Sequence, residues 1–557
     1  MAAPIHVSPE NQSVNHKVDT FSSIALKYQF LFGLNKESRI LLVGPYYQAI
    51  AQDLRQHFVT VHSAACPSDV SMLAADNSYD LICLDAYRDW TDSRVGELII
   101  KARSCLAHNG TLVVAATNRL SIDRLLAKLR RRVVSLMHGL TPGGYKKALT
   151  AVGFSGIAEF MVFPTLRTAD EYVNTAHGDI ELPAYVSIIH KIFHRLRIFR
   201  YVHGDLLYIA TVESSGGLEA FAKQVNRQIA AHGLAYDPLH LERFDMRDRG
   251  ALMLMLSDSA KKHRVVARVT VSDLVNSVVS KNASFTDRIH SLVTLNARII
   301  DLVPKTIATF EYRSCFVYVE NRIPGVLVWK VSGNRRIEKR AYAESFEFIN
   351  AFNIATATEK TVDSDLFDEL IGHDLSSIKS AMGGLKGIDV IVKNIELRLR
   401  QYFTGRQVST VWGHGDFGYG NILCDPSSGN IQGVIDWDTH VLNELPGVDF
   451  CNLVLQKSSR DFDGDVAKAL EEMSRTIERS GVLDITLPQY GKGVFHFTAQ
   501  DYEICLCLAG IRMIKRSIPY QKEFSLRKAG YAKILAVAER ILTKAMTRNS
   551  PAMEVHT

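Results

Sequence analysis

The tightest constraint on this chain is a pair of spacings in its C-terminal third. His414-Gly415-Asp416-Phe417-Gly418-Tyr419-Gly420-Asn421 runs into Ile422-Leu423-Cys424, and Gly433-Val434-Ile435-Asp436-Trp437-Asp438 follows. Val408 to Trp412 and Ile422 to Cys424 read as short strands around a turn, and Asp436 closes another apolar run, Ile431 to Ile435. Two carboxylates and an amide at these positions suit phosphoryl transfer. The transferred group spreads negative charge over its oxygens, so a protein mainly positions the reactants and supplies cations. Magnesium prefers oxygen ligands and takes only one or two carboxylates from a protein. On that chemistry Asp416 accepts the proton of a hydroxyl, Asn421 and Asp436 hold Mg²⁺, and His414 joins Asp416 in the catalytic loop as its brace.

The segment resembles the aminoglycoside phosphotransferase and choline kinase family, small-molecule kinases with a protein-kinase-like fold. Its members show H-G-D-x-x-x-x-N and then a strand ending I-D-W/F-D/E, and every fixed position is matched here. Leu445-Pro446-Gly447-Val448-Asp449-Phe450 is similar to the segment in which the family places an Asp that supports the catalytic loop. The resemblance implies an α+β bilobal kinase-like domain over 218–550, with a small lobe to 325 and a mostly helical large lobe beyond. It also implies ATP or GTP as donor, Mg²⁺, and an acceptor hydroxyl on a small molecule, sugar or glycan.

Further site residues follow from the same resemblance. Arg264 to Val269 looks like the strand that carries the phosphate-pairing cation, with Arg268 where a Lys is more usual; a guanidinium keeps its charge and grips phosphate with paired donors. Asp287, in the helix-like stretch Phe285 to Asp301, is the candidate acid partner. Phe316 to Gly325 resembles the hinge that meets the adenine, with Glu320 at its strand end. The nucleotide-covering hairpin is expected to turn at Asp248-Arg249-Gly250, with one glycine. A second H-G-D, His203-Gly204-Asp205, has Ala210 in place of the Asn and reads as a turn before a buried strand.

Upstream, residues 20–213 alternate strand-like and helix-like patterns, which argues for a parallel sheet covered by helices. Arg39 to Pro45, Phe58 to Val61, Tyr79 to Asp85 and Leu106 to Ala115 are the strands. With Gly144 to Leu149 and Val152-Gly153-Phe154, the order resembles class I S-adenosylmethionine-dependent methyltransferases. The ligand residues do not carry over. The first loop, Gly44-Pro45-Tyr46-Tyr47, has one glycine, and the second strand ends near His62 and Ser63 without a carboxylate. A degenerate, Rossmann-like α/β domain is the expectation, with S-adenosylmethionine doubtful; an active methyltransferase joined to a kinase, modifying a polysaccharide or lipid-linked glycan, stays open, as does a non-catalytic scaffold.

With 557 residues the chain exceeds one hydrophobic core. Its formal charge of +6 is mild, and no zinc-finger or RNP-like pattern accompanies it, so nucleic acid is not an expected partner. Residues 1–19 read as a disordered lead, and no apolar stretch is long enough to span a bilayer. Eight scattered cysteines without C-x-x-C suggest a reducing, cytoplasmic setting. The stretches Arg124 to Arg132 and His190 to Arg200 suit basic helices, either solvated faces or a peripheral membrane contact.

Overall fold

The computed structural model describes residues 24–548 except 65–77, 87–91, 119–139, 164–170, 177–202, 204, 213–216, 235, 246–250, 271–272, 293, 482–494, 496 and 520. The polar lead, both basic stretches and the 248–250 turn lie outside the described residues.

The apolar runs of the N-terminal part become strands buried on both faces, as parallel strands between helices must be. β1 (Arg39–Val43) lies between β2 (Thr60–Ala64) and β3 (Tyr79–Ala86), and β4 (Leu106–Thr117) adds to β3, all in parallel. β5 (Gly156–Phe163) and β4 flank β7 (Asp205–Thr211), which runs antiparallel to both. Helices α1 (Ile24–Phe32), α2 (Pro45–His57), α3 (Asp92–Cys105) and α4 (Pro142–Ala151) accompany this sheet. The resulting order β2-β1-β3-β4-β7-β5 places a topological switch point between β1 and β3, where such sheets open a crevice at their carboxyl ends.

That crevice is tightly built. Gly44 follows β1 with φ +105°, and a Cβ there would stand 2.5 Å from the Cβ of Asp85, so only glycine fits. Tyr47 is buried among Leu42, Ala51 and Leu54 and packs as core. His62 bonds the Tyr79 hydroxyl at 2.7 Å, and Ser63 accepts from Arg55. The second H-G-D is structural: the His203 carbonyl accepts from Asn118, and its ring Nε2 meets the Val162 carbonyl at 3.0 Å.

The sheet does not end there. β6 (Glu171–Asn174) pairs with β5 on one side and with β8 (His240–Asp245) on the other, Tyr172 opposite Phe244. β8 leads into an antiparallel meander with β9 (Ala251–Ser257) and β10 (Arg264–Thr270), and β12 (Cys315–Asn321) and β11 (Thr306–Tyr312) complete it. Among the described residues, twelve strands form one sheet. One hydrophobic core runs across the seam, with Ile40, Leu42, Leu81 and Val113 from one part and Leu252, Val265 and Val317 from the other. α5 (Gly217–Ala231) buries Phe221 and Val225 in that same core.

α6 (Asp273–His290) follows β10. It ends at His290, inside the helix-like stretch Phe285 to Asp301 read from the sequence, and the Asn296 side chain caps a separate short helix, Ala297–Ile300. Beyond Gly325 the chain is mostly helical: α7 (Arg335–Thr356), α8 (Ile388–Phe403), α9 (Gly447–Ser459), α10 (Val466–Ser480), α11 (Ala499–Ser517) and α12 (Gln521–Arg548). Two small sheets sit among them, β13 (Val326–Leu327) with β16 (Ile422–Cys424) and β17 (Ile431–Val434), and β14 (Thr358–Thr361) with β15 (Gln407–Gly413) and β18 (Val441–Glu444). A second core, including Phe352, Trp437, Leu453, Leu506 and Leu535, fills this lobe. The architecture is a Rossmann-like α/β part followed by a bilobal α+β part of protein-kinase type. Among the described residues no helix is long and apolar enough to cross a membrane, and the seven described cysteines are free thiols.

Candidate active site

β15 delivers the chain to His414 in the cleft between the lobes. Asp449, at the first turn of α9, accepts the backbone N–H groups of His414 (2.5 Å) and Gly415 (3.0 Å) and fixes the start of the loop. Burial, with Glu444 nearby, pushes the Asp449 carboxyl up to about 7. The buried His414 ring uses both nitrogens: Nδ1 accepts the Asp416 N–H (3.3 Å), which leaves Nε2 to donate to the Ile435 carbonyl (3.0 Å). Burial lowers its pKa, in keeping with a neutral ring that braces two loops.

Gly415 permits the turn. Its φ is +80°, and a Cβ would stand 2.0 Å from the Thr439 carbonyl oxygen. Gly415→Ala is therefore expected to cost at least ~2 kcal/mol and lower the melting temperature by several degrees. A melt that superimposes on wild type would refute this reading of the turn.

Past Gly415 the loop closes on itself. Asn421 donates its side-chain Nδ2 to the Asp416 carbonyl (3.0 Å) and to Oδ2 of the Asp416 carboxylate (3.2 Å). With the nitrogen so committed, the amide oxygen is the end left for a cation. The β16–β17 hairpin sets Ile422 opposite Val434, and Ile435 N–H meets the Asn421 carbonyl at 2.9 Å, so Asn421 and Asp436 emerge at the same hairpin end. Asp436 has φ +70°, a left-handed conformation uncommon for a non-glycine residue and frequent at functional sites.

Arg268 reaches this end from β10. It bonds Asp436 Oδ1 at 2.8 Å and Glu320 Oε1 at 3.1 Å, with Asp438 at 3.7 Å. Burial opposes the charge on Arg268, but the three acids hold it protonated. Burial likewise works against ionised Asp436, yet Arg268 brings its pKa below the usual carboxylate value; Asp438 is pushed up by burial and by Asp436.

Glu320 is buried, and its carboxylate is the acid that pairs with Arg268, the place the sequence offered to Asp287. The register explains this: Tyr318 stands opposite Arg268 and Glu320 opposite Val266, so Glu320 lies diagonal to Arg268 on one sheet face. Asp287 is exposed on α6 and is not the acid that meets Arg268. Among the described α6 side chains, Asn282 turns to the site, bonding Asp438 at 2.8 Å. Five positions rotate a helix by roughly 140° from its starting face, which takes Asp287 away. Phe285 of the same helix stacks on His440 at 3.9 Å and ties α6 to the segment after Asp436.

On the opposite side of Asp416 stands a cation that sequence reasoning missed. Arg516, near the end of α11, pairs with Asp416 Oδ1 at 2.9 Å and donates to the Gly415 carbonyl. Gln456 of α9 approaches the same carboxylate oxygen at 3.4 Å. Asn452 donates to the Phe417 carbonyl (2.8 Å) and accepts from Arg516 (3.3 Å). A basic residue in a last helical turn was the only sequence signal, and it is common to many helices.

The donor set suits magnesium. Asp436 and Asn421, at one hairpin end, offer a carboxylate and an amide oxygen, both hard oxygen donors, and a phosphate-bearing substrate would complete the shell. Among the described residues no group of three or more His, Cys, Asp or Glu side chains is arranged to hold a metal alone.

Residues 387–480, which include the whole loop from His414 to Asp449, match the sequence model of the phosphotransferase enzyme family. No curated protein sequence matches the chain at a significant level. Among solved structures, an aminoglycoside-3'-phosphotransferase of type VIII is similar to 42% of this chain over 84% of its own, with 13% identity and a TM-score of 0.28. An aminoglycoside phosphotransferase from Streptomyces rimosus, solved with ADP and streptomycin, covers 41% and 84% at 13% identity, TM-score 0.28. A methyltransferase dependent on S-adenosylmethionine from Thermotoga maritima, described as a possible histamine N-methyltransferase, covers 34% of this chain and 91% of its own at 12% identity, TM-score 0.22.

Proposed function

We propose that the protein is a Mg²⁺-dependent phosphotransferase that moves the γ-phosphoryl group of ATP, or of GTP, to a hydroxyl of a small molecule, sugar or glycan end. The observation that carries this reading is the convergence of Asp416, Asn421, Asp436 and Arg268 on one cleft from a loop, a hairpin end and the small-lobe sheet. Asp436 and Asn421 would hold the metal, which would neutralise charge on the donor's phosphates. Arg268, anchored by Glu320, orients those phosphates with paired donors. Asp416 accepts the proton of the acceptor hydroxyl while that oxygen bonds to phosphorus and the bond to the leaving nucleoside diphosphate breaks.

The N-terminal part is read as a degenerate methyltransferase-like domain, because its first loop offers one glycine, pressed against Asp85, and its second strand ends without a carboxylate. Thermal shift against ATP, GTP and S-adenosylmethionine, each with and without Mg²⁺, tests both halves. A ligand bound only by the folded state stabilises by about 2.7 kcal/mol at a hundred times its Kd. The expected outcome is a Mg²⁺-dependent upward shift with nucleotide that Asp436→Ala removes. A nucleotide shift indifferent to Mg²⁺, or none, would favour a non-catalytic scaffold, and a shift with S-adenosylmethionine would revive methyl transfer.

A further inference from the structure

The carboxylate proposed as the base is held from a direction that neither the loop motif nor the metal ligands explain. Arg516 is the charged residue on that side. Its side chain is 15% exposed and makes three contacts, to Asp416 Oδ1, the Gly415 carbonyl and Asn452 Oδ1. Gln456 joins it on Oδ1. Oδ2 lies with Asn421 on the metal side of the loop.

The helix that presents Arg516 is itself anchored. One turn earlier, buried Arg512 bonds Glu444 through Nε (2.9 Å) and Nη2 (3.1 Å), pairs with Asp374, and donates to the Leu370 carbonyl (2.6 Å). Residues four apart share a helix face, so the Arg512 cluster fixes the rotation of α11 and thereby the aim of Arg516. Gly418 completes the arrangement: a side chain there would collide with Gln456, with a Cβ 2.1 Å from its Oε1.

We propose that Arg516 is a positioning residue for phosphoryl transfer: by engaging Oδ1 of Asp416 and the Gly415 carbonyl together, it fixes the base carboxylate so that Oδ2 is the oxygen presented to the acceptor hydroxyl. The contact acts on the reacting geometry and not on nucleotide binding, since Arg268 and Asp436 lie on the other side of the loop. This rests on the phosphotransferase reading.

The test uses the full chain with water as the acceptor, following ADP release from ATP and Mg²⁺. Arg516→Gln is expected to lower kcat by roughly 10²-fold, the scale of a reacting group displaced by about an ångström. KM for ATP and the nucleotide-induced thermal shift should stay within about twofold of wild type, the signature of a loss felt in the transition state and not in nucleotide binding. Arg516→Lys should recover part of the loss, because Lys restores the charge but not the fork that reaches two oxygens. A fall in kcat accompanied by an equal loss of nucleotide binding and melting temperature, with no recovery in the Lys variant, would reduce Arg516 to a packing role and overturn the proposal. So would an unchanged kcat in Arg516→Gln. Wild-type protein that binds nucleotide but releases no ADP would overturn the phosphotransferase reading itself, and this proposal with it.

Discussion

Asp416→Asn is expected to cut turnover by roughly 10³-fold, within the range that general-base catalysis contributes, while leaving the affinity for ATP with Mg²⁺ unchanged. The substitution preserves shape and removes the ability to take a proton, together with the negative charge that pairs with Arg516. The side-chain oxygen of Asn can still accept from Arg516, the stronger donor of those around it. The new amide nitrogen would face Asn421 Nδ2, a donor against a donor, so a modest local rearrangement is expected at that contact. Of the groups proposed for the nucleotide and its metal, Arg268 and Asp436 stand apart from this exchange, Arg268 being held by Glu320 and Asp436, and only Asn421 is touched by it. Calorimetric titration with nucleotide, beside steady-state ADP release, separates the two effects. A variant retaining more than about a tenth of wild-type turnover would remove Asp416 from the base position.

The loop was legible because its chemistry is local in sequence. Asp416 and Asn421 meet through a turn of five residues, and Asn421 and Asp436 through one hairpin, so spacing carried the geometry. The small-lobe contribution was half legible. A strand with Arg268 could be recognised, but its acid partner depends on a cross-strand register between β10 and β12 that separates the two residues by 52 positions, and no local pattern reports register. Asn282 and Arg516 were out of reach for the same reason. Each meets the site across 156 and 101 residues respectively, from helices whose rotation is set by packing. In the N-terminal part the strand patterns identified the parallel sheet, since doubly buried strands are continuous apolar runs. They gave no sign that β6 would join β8, because a four-residue strand with a mixed pattern announces neither its partner nor its edge.

That seam has a consequence for stability. Removing residues 1–213 is expected to leave a kinase-like fragment that does not fold, even though the proposed catalytic groups all lie beyond the cut. Phe244 of β8 stacks on Tyr172 with ring centroids 4.6 Å apart and meets Phe160 edge-on at 5.1 Å. Tyr312 of β11 and Phe221 of α5 both pack on Phe30, and Arg313 donates to the Phe30 carbonyl. Asn174 donates to the Leu241 carbonyl, and β8 loses β6, one of its two neighbour strands, keeping only β9. Burying each large apolar side chain is worth ~1.5–3 kcal/mol, and a domain's net stability is only about 5–15 kcal/mol. Uncovering Phe221, Leu241, Phe244 and Tyr312 together therefore consumes a margin of that size, and the bared edge of β8 adds a template for aggregation. The measurement is soluble yield and thermal unfolding of residues 214–557 beside the full chain. A soluble fragment that melts cooperatively and still shifts with nucleotide and Mg²⁺ would show that the small lobe completes its own core. Insoluble fragment, with full-length protein intact, would mean that the methyltransferase-like part has become the structural wall of the lobe that carries Arg268, whatever ligand its crevice does or does not bind.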